Sequence, residues 1–197
     1  MTIVGASPRL AARVAGVLYL LIFIAAPIGA ATATPAKMII THTCDIGVAL
    51  IFYLLFKPVS KSLSLLGAIF RLTLVAIMAV GTLNYFGGLN LFNAGRSAAA
   101  FDKLYALSLV PFGVHCLLIG YLVFRSGFLP RFLGVLMTIA GLGWLTFVSP
   151  LLAHHLYPYN LIPGVVGEGA LTLWLLVVGL NEKRWSDRAS TVREQSS

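Results

Sequence analysis

The chain has 197 residues, of which 59% are hydrophobic and 10% charged, whereas soluble globular domains carry about 25% charged residues. A sphere of this size has too little interior to hide so much apolar side chain from water, so lipid is the solvent that fits. The net charge of +8 would suit nucleic acid, but no basic groove interleaved with aromatics accompanies it.

Six apolar runs follow one another, each near the roughly 20 residues that a helix needs to cross a hydrocarbon core of about 30 Å. The first, Leu10–Ala31, begins beside Arg9 and Arg13 and ends at Ala31-Thr32-Ala33, which resembles a signal-peptidase site. Its apolar stretch exceeds the roughly 7–15 residues of a signal core, so a retained helix is expected. A mature chain beginning near Thr34 would reverse that. After a linker with Pro35, the second run, Met38–Phe56, carries His42, Cys44 and Asp45. Turn residues around Pro58 lead to the third, Leu63–Phe86, with Arg71 inside it and Asn84 toward its far end. The longer segment Gly87–Lys103, with Gly88, Asn90 and Asn93, reads as a solvated connector or a lid, and Asp102-Lys103 as a solvated pair at a helix start. The fourth run, Leu104–Phe124, holds His115 and Cys116; the basic turn Arg125–Arg131 then leads to the fifth, Phe132–Leu152. Ala153–Asn160, with His154 and His155, reads as a loop before the sixth run, Leu161–Leu180, which contains Glu168. Tyr157, Tyr159 and Trp185 stand near run ends, where amphipathic rings anchor at headgroup level. Residues 1–181 therefore read as a single domain, and 182–197 as a polar, disordered cytoplasmic tail.

The runs lack the alternation of a transmembrane β-barrel. The expected fold is all-α, a polytopic bundle of about six transmembrane helices. Ten Lys and Arg residues (Arg9, Arg13, Lys57, Lys61, Arg125, Arg131, Lys183, Arg184, Arg188, Arg193) fall on one side of the runs and three (Lys37, Arg96, Lys103) on the other. Positive residues collect in the cytoplasm, which puts both termini there. Cys44 and Cys116 form no disulfide framework and read as small buried side chains.

The segments RVAGVLYLLIF (Arg13–Phe23), YLLFKPVSKS (Tyr53–Ser62), FRL (Phe70–Leu72), HCLLIGYLVFRSGFLPRFLG (His115–Gly134) and EGALTLWLLVVGLN (Glu168–Asn181) resemble the bacterial domain of unknown function 4386 family. The hairpin FRSGFLPRFLG is the most specific of them. The resemblance implies a small polytopic bacterial membrane protein and supplies no established activity or catalytic residues; the expected location is the bacterial inner membrane.

The informative residues are those unsuited to lipid. An ionised side chain at the bilayer centre costs roughly 2.5–3.5 kcal/mol on insertion scales, so Arg71, Asp45, His115 and Glu168 should face inward and meet. Counting the helical rise puts Asp45, Glu168 and His115 about 10–16 Å below one end of their helices, and Arg71 about 12 Å above the other. His42 shares a face with Asp45, being three residues away. Together with Asn84 these make up the candidate polar site: Arg71, Glu168, Asp45, His115, His42 and Asn84. Gly167 and Gly169 would let a neighbouring helix approach Glu168, and Ala12/Gly16 and Ala25/Gly29 have the spacing of close helix contacts. Cys44 and Cys116 point about 100° away from their neighbours Asp45 and His115, which argues against a Cys/His metal site.

One arginine faces two acids. If both ionise beside neutral histidines the cluster carries net charge −1, which a low dielectric does not tolerate. An acid is protonated, His42 or His115 is protonated, or a cation binds. The same residues suit a structural ion pair between helices. Three functions therefore stand open: a site that binds or passes a small solute, proton or cation; a structural or regulatory subunit; and an intramembrane metal-assisted enzyme, although no His-Glu-x-x-His or comparable motif is present. The expected partners are the lipid bilayer and either a second copy or another membrane subunit, with no nucleic acid and no cofactor. Arg71→Leu is expected to lower folded yield, and Glu168→Gln to restore part of it.

Overall fold

The computed structural model describes residues 7–26, 30–87 and 97–194. Among these residues the chain forms helices α1 (Pro8–Ala25), α2 (Pro35–Phe56), α3 (Lys61–Phe86), α4 (Ala98–Ser126), α5 (Arg131–Leu145), α6 (Pro150–Leu156), α7 (Ile162–Val177) and α8 (Glu182–Glu194), with no strand. Short 3₁₀ turns occupy Ala30–Thr32, Thr146–Val148 and Tyr159–Leu161.

The helix starts follow local chemistry. Hydroxyls of Ser7, Thr34, Ser60, Ser97 and Ser149 accept backbone N–H bonds in the first turns of α1, α2, α3, α4 and α6, which satisfies donors that lack an intrahelical partner. Proline enters the first turn of α1, α2, α6 and α7, where its missing N–H costs nothing. Gly127 and Gly179, at φ 72° and 75°, turn the chain out of α4 and α7.

Six helical segments are long and apolar enough to cross a membrane: Pro8–Ala25, Pro35–Phe56, Lys61–Phe86, Ala98–Ser126, Arg131–Val148 and Tyr159–Val177. They mark a membrane protein. Each spanning helix packs on the next, and α7 lies against both α5 and α1, closing a ring. The distribution of polarity is inverted relative to a soluble protein. Ile24, Leu173 and Val177 are 70%, 62% and 72% exposed, while Arg71 and His115 are fully buried. That arrangement suits an apolar surround.

Several boundaries differ from the sequence expectation. α1 stops at Ala25 rather than Ala31; Ala26 is extended (ψ 128°) because it precedes Pro27. α4 begins six residues before Leu104, so exposed Asp102 and Lys103 lie in its second turn. The fifth run is not continuous to Leu152. Its helix ends at Leu145, passes through a 3₁₀ turn, and restarts at Pro150 under the Ser149 cap; α6 thus takes up part of the expected loop. Residues 88–96, which hold most of the expected connector and Arg96, lie outside the described residues, as does Gly29.

The segment expected as a disordered tail carries helix α8 over Glu182–Glu194. Asn181 Oδ1 accepts the Arg184 N–H at 3.1 Å, and the Trp185 indole donates to Leu55 O at 2.9 Å while packing on the core. Trp185 is thus the aromatic anchor of a polar helix whose first turn is also bonded through Glu182 to the Arg9 N–H and through Arg184 to Gly127 O. Trp185→Ala is expected to release α8 while the spanning helices stay folded. Limited trypsin digestion should then cut at Lys183 and Arg184 several times faster than in the wild type; unchanged cleavage would mean that Trp185 does not hold α8.

Candidate functional site

Arg71 lies at the middle of α3 on the face that also carries Ser64, Gly67, Ala68, Leu74 and Met78, all buried. Its guanidinium is an arginine fork with five N–H donors, used across three neighbouring helices. Nε and Nη2 donate to Asp45 Oδ1 on α2 at 2.9 and 2.7 Å. Nη1 donates to the Tyr19 hydroxyl on α1 at 2.6 Å and to His115 Nε2 on α4 at 3.1 Å. The rings of Tyr19 and Phe112 lie 4.4 and 5.3 Å from the guanidinium carbon, at cation–π distance. Phe52 and Phe112 stack on the His115 ring.

The bonding pattern assigns the histidine proton. His115 Nδ1 lies 2.8 Å from Gly67 O, which can only accept, so Nδ1 carries the hydrogen. Nε2 faces arginine, which can only donate. His115 is therefore neutral, and both its ring nitrogens are engaged.

Glu168 lies on α7, 7% exposed. Its Oε1 accepts the Trp144 indole N–H from α5 at 2.7 Å. Gly167 beside it abuts α5, for an added Cβ would come within 2.6 Å of Leu136 O. Gly169 on its other side faces open space, so only one of the two flanking glycines serves a close approach. Gly164, one turn earlier, leaves room for the Trp144 ring. Glu168 is within electrostatic reach of Arg71 and Asp45, yet the carboxylate that touches Arg71 is Asp45. The expected relief of Arg71→Leu by Glu168→Gln therefore passes to Asp45.

His42 and Asn84 take no part in the Arg71 bonds, although His42 is one turn from Asp45 and within its electrostatic reach. His42 Nε2 lies 3.1 Å from Thr82 Oγ1, whose own hydrogen goes to Met78 O; the ring therefore donates, leaving its buried Nδ1 without a hydrogen-bond partner. Thr82 and Asn84 are about 16 and 20 Å along α3 from Arg71. Asn84 is 1% exposed with Oδ1 unpartnered. Thus Arg71 bonds Asp45 and His115 directly, Glu168 and His42 lie within electrostatic reach of that group, and Asn84 stands farther along α3. Among the described residues, no three His, Cys, Asp or Glu side chains gather as metal ligands, and the Asp45 and His115 donor atoms named above are occupied by Arg71 and Gly67.

Two participants escaped the sequence reading, Tyr19 and Trp144, as did the buried Thr172. Tyr19 and Trp144 are the polar-tipped aromatics within their runs rather than at the ends, which is the signal that could have marked them. Thr172, one turn beyond Glu168, is 2% exposed with its hydroxyl unpartnered.

Residues 31–179 match the family described as Domain of unknown function (DUF4386). An uncharacterized protein of Archaeoglobus fulgidus is 32% identical over 136 residues, covering 68% of this chain and 76% of that protein. No solved structure matches.

Proposed function

Because this chain belongs to the Domain of unknown function (DUF4386) family, and its spanning helices enclose charged side chains, we propose that it binds an exchangeable proton, or a small cation in its place, at Glu168. The observation that carries this reading is the division of labour among the charges. Arg71 is committed to Asp45, with Tyr19 and neutral His115 filling further donor positions. That unit is electrically balanced. Glu168 is the surplus acid, held by an indole N–H rather than by a cation. A buried carboxylate without its own counter-charge takes up a proton or a cation.

The reading places the protein in the bacterial inner membrane with both termini cytoplasmic, in accord with ten basic residues on that side against three. It includes a retained first helix, because Tyr19 on α1 bonds Arg71.

Trp144 supplies a reporter. With Trp174 and Trp185 replaced by Phe, the single remaining indole should change emission as pH is moved between about 4 and 9, the window around acid and histidine reference values. The protonated carboxyl is a weaker acceptor than the carboxylate, so the indole signal follows Glu168. Glu168→Gln should flatten the curve. A wild-type curve already flat over that range, or one that survives Glu168→Gln, contradicts the proposal.

A second reading, a structural or regulatory subunit that assembles with another copy or another membrane chain, is favoured by one observation: Arg71 joins α1, α2, α3 and α4 through side-chain bonds. Co-purification of one chain at constant stoichiometry would support it.

A further inference from the structure

At the end of the bundle where α1 begins, the turn between α4 and α5 and the junction of α7 with α8 close around a cavity of about 520 Å³. Arg9, Arg184, Glu182, Asn181, Trp174 and Pro130 line it. The volume falls in the roughly 300–1,000 Å³ range of small-molecule sites. Part of its wall is the FRSGFLPRFLG hairpin, which plays no part in the buried polar group.

The two arginines are held in place by backbone. Arg9 Nε donates to Val178 O at 3.3 Å, and Arg184 Nη1 to Gly127 O at 3.0 Å. Those carbonyls close α7 and α4, where the last C=O groups lack intrahelical donors. Gly179 lets Arg9 lie across the end of α7, since an added Cβ would come within 3.0 Å of Arg9 Cγ. Each guanidinium uses one of its five N–H groups in these bonds, so most of the fork is left. Among the described residues neither is ion-paired. Glu182, the carboxylate in the wall, accepts the Arg9 backbone N–H at 3.3 Å. The charged lining is thus two cations against one anion, beside the apolar faces of Trp174 and Pro130.

We infer that this cavity binds a phosphate-bearing anion. Planar guanidinium forks match phosphate oxygens, and basic pockets between transmembrane helices take anionic lipid headgroups. An anionic phospholipid and a soluble phosphate share that chemistry. The site is independent of Glu168 and of any proton there.

The test uses the full chain in detergent and in nanodiscs. Binding of phosphatidylglycerol is counted by native mass spectrometry against phosphatidylcholine, and protection by inorganic phosphate is read in a thermal melt. Arg9→Gln with Arg184→Gln should weaken the bound probe by roughly tenfold or more, from about 1 kcal/mol per basic residue near a charged surface. Lys183→Gln removes a charge from the same helix outside the cavity and should leave binding unchanged. Because the arginines also cap helices, Glu182→Gln provides a gain-of-affinity arm: removing the acid should tighten the probe several-fold. Loss of phosphatidylglycerol binding in the double variant assigns a lipid; loss of phosphate protection assigns a soluble anion. Binding of neither probe, equal binding by wild type and double variant, or a Glu182→Gln protein that binds no more tightly overturns the inference.

Discussion

Arg71→Leu is expected to cost about 3–5 kcal/mol, the usual penalty for removing one partner of a buried ion pair, and to leave little folded protein after detergent extraction. The source of the penalty is Asp45. With the guanidinium gone, its carboxylate remains 4% exposed with no cation, and Tyr19 and His115 each lose a bond. Asp45→Asn in the Arg71→Leu background removes the stranded charge and should recover a large part of the folded yield, since a buried pair replaced as a unit is often nearly neutral. Glu168→Gln in the same background should recover much less, because Glu168 bonds Trp144 instead. Monodisperse yield by size exclusion and the thermal midpoint read the cycle. Equal rescue by the two acid substitutions would mean that Arg71 answers to both carboxylates.

Gly134→Val should be at least as damaging, and for a different reason. α4 and α5 touch through backbone at two reciprocal points. A Cβ at Gly134 would lie 2.6 Å from Gly120 O and 2.7 Å from Phe124 N; one at Gly141 would lie 2.8 Å from Gly113 O. The obstructing atoms are main chain, so no rotamer change relieves them. Ordinary overpacking costs about 1–3 kcal/mol, and prying the two helices apart also weakens the dispersion attraction along their whole shared face. Even Gly134→Ala should lower the thermal midpoint by several degrees, and the valine variant should not be recovered folded. Gly169, with nothing near its missing Cβ, is the control: Gly169→Ala should stay within about 0.5 kcal/mol of wild type. Similar midpoints for Gly134→Ala and Gly169→Ala would contradict this packing.

The spans and the inward charges were legible because membrane physics leaves few options: apolar runs must be long enough to cross, and ions must avoid lipid. Which acid meets Arg71 was not. Asp45 and Glu168 lie at similar depth, and the direction in which a residue points is hidden when lipid-facing and interior faces are both apolar. α2 shows the difficulty, since Val48, Ala49 and Phe52 face inward while Ile39, Ile46 and Leu50 face outward. Tyr19 looked like one more aromatic in a greasy run. The helix break at Ser149-Pro150 was written as a cap and a proline, but Leu151-Leu152 continued the hydropathy across it. α8 was missed because its apolar stripe is sparse, only Trp185, Ala189 and Val192 at helical spacing among polar residues; one indole bonds it to α2.

The most direct test of the central claim is infrared difference spectroscopy of the reconstituted protein, titrated between about pH 4 and 9, which counts protonated carboxyls by their C=O stretch. The account predicts one buried carboxyl band that appears as pH falls, vanishes in Glu168→Gln and persists in Glu182→Gln, while Asp45 stays ionised against Arg71. A titrating band that disappears with Asp45→Asn and survives Glu168→Gln would contradict it, as would a spectrum with no buried carboxyl changing over that range.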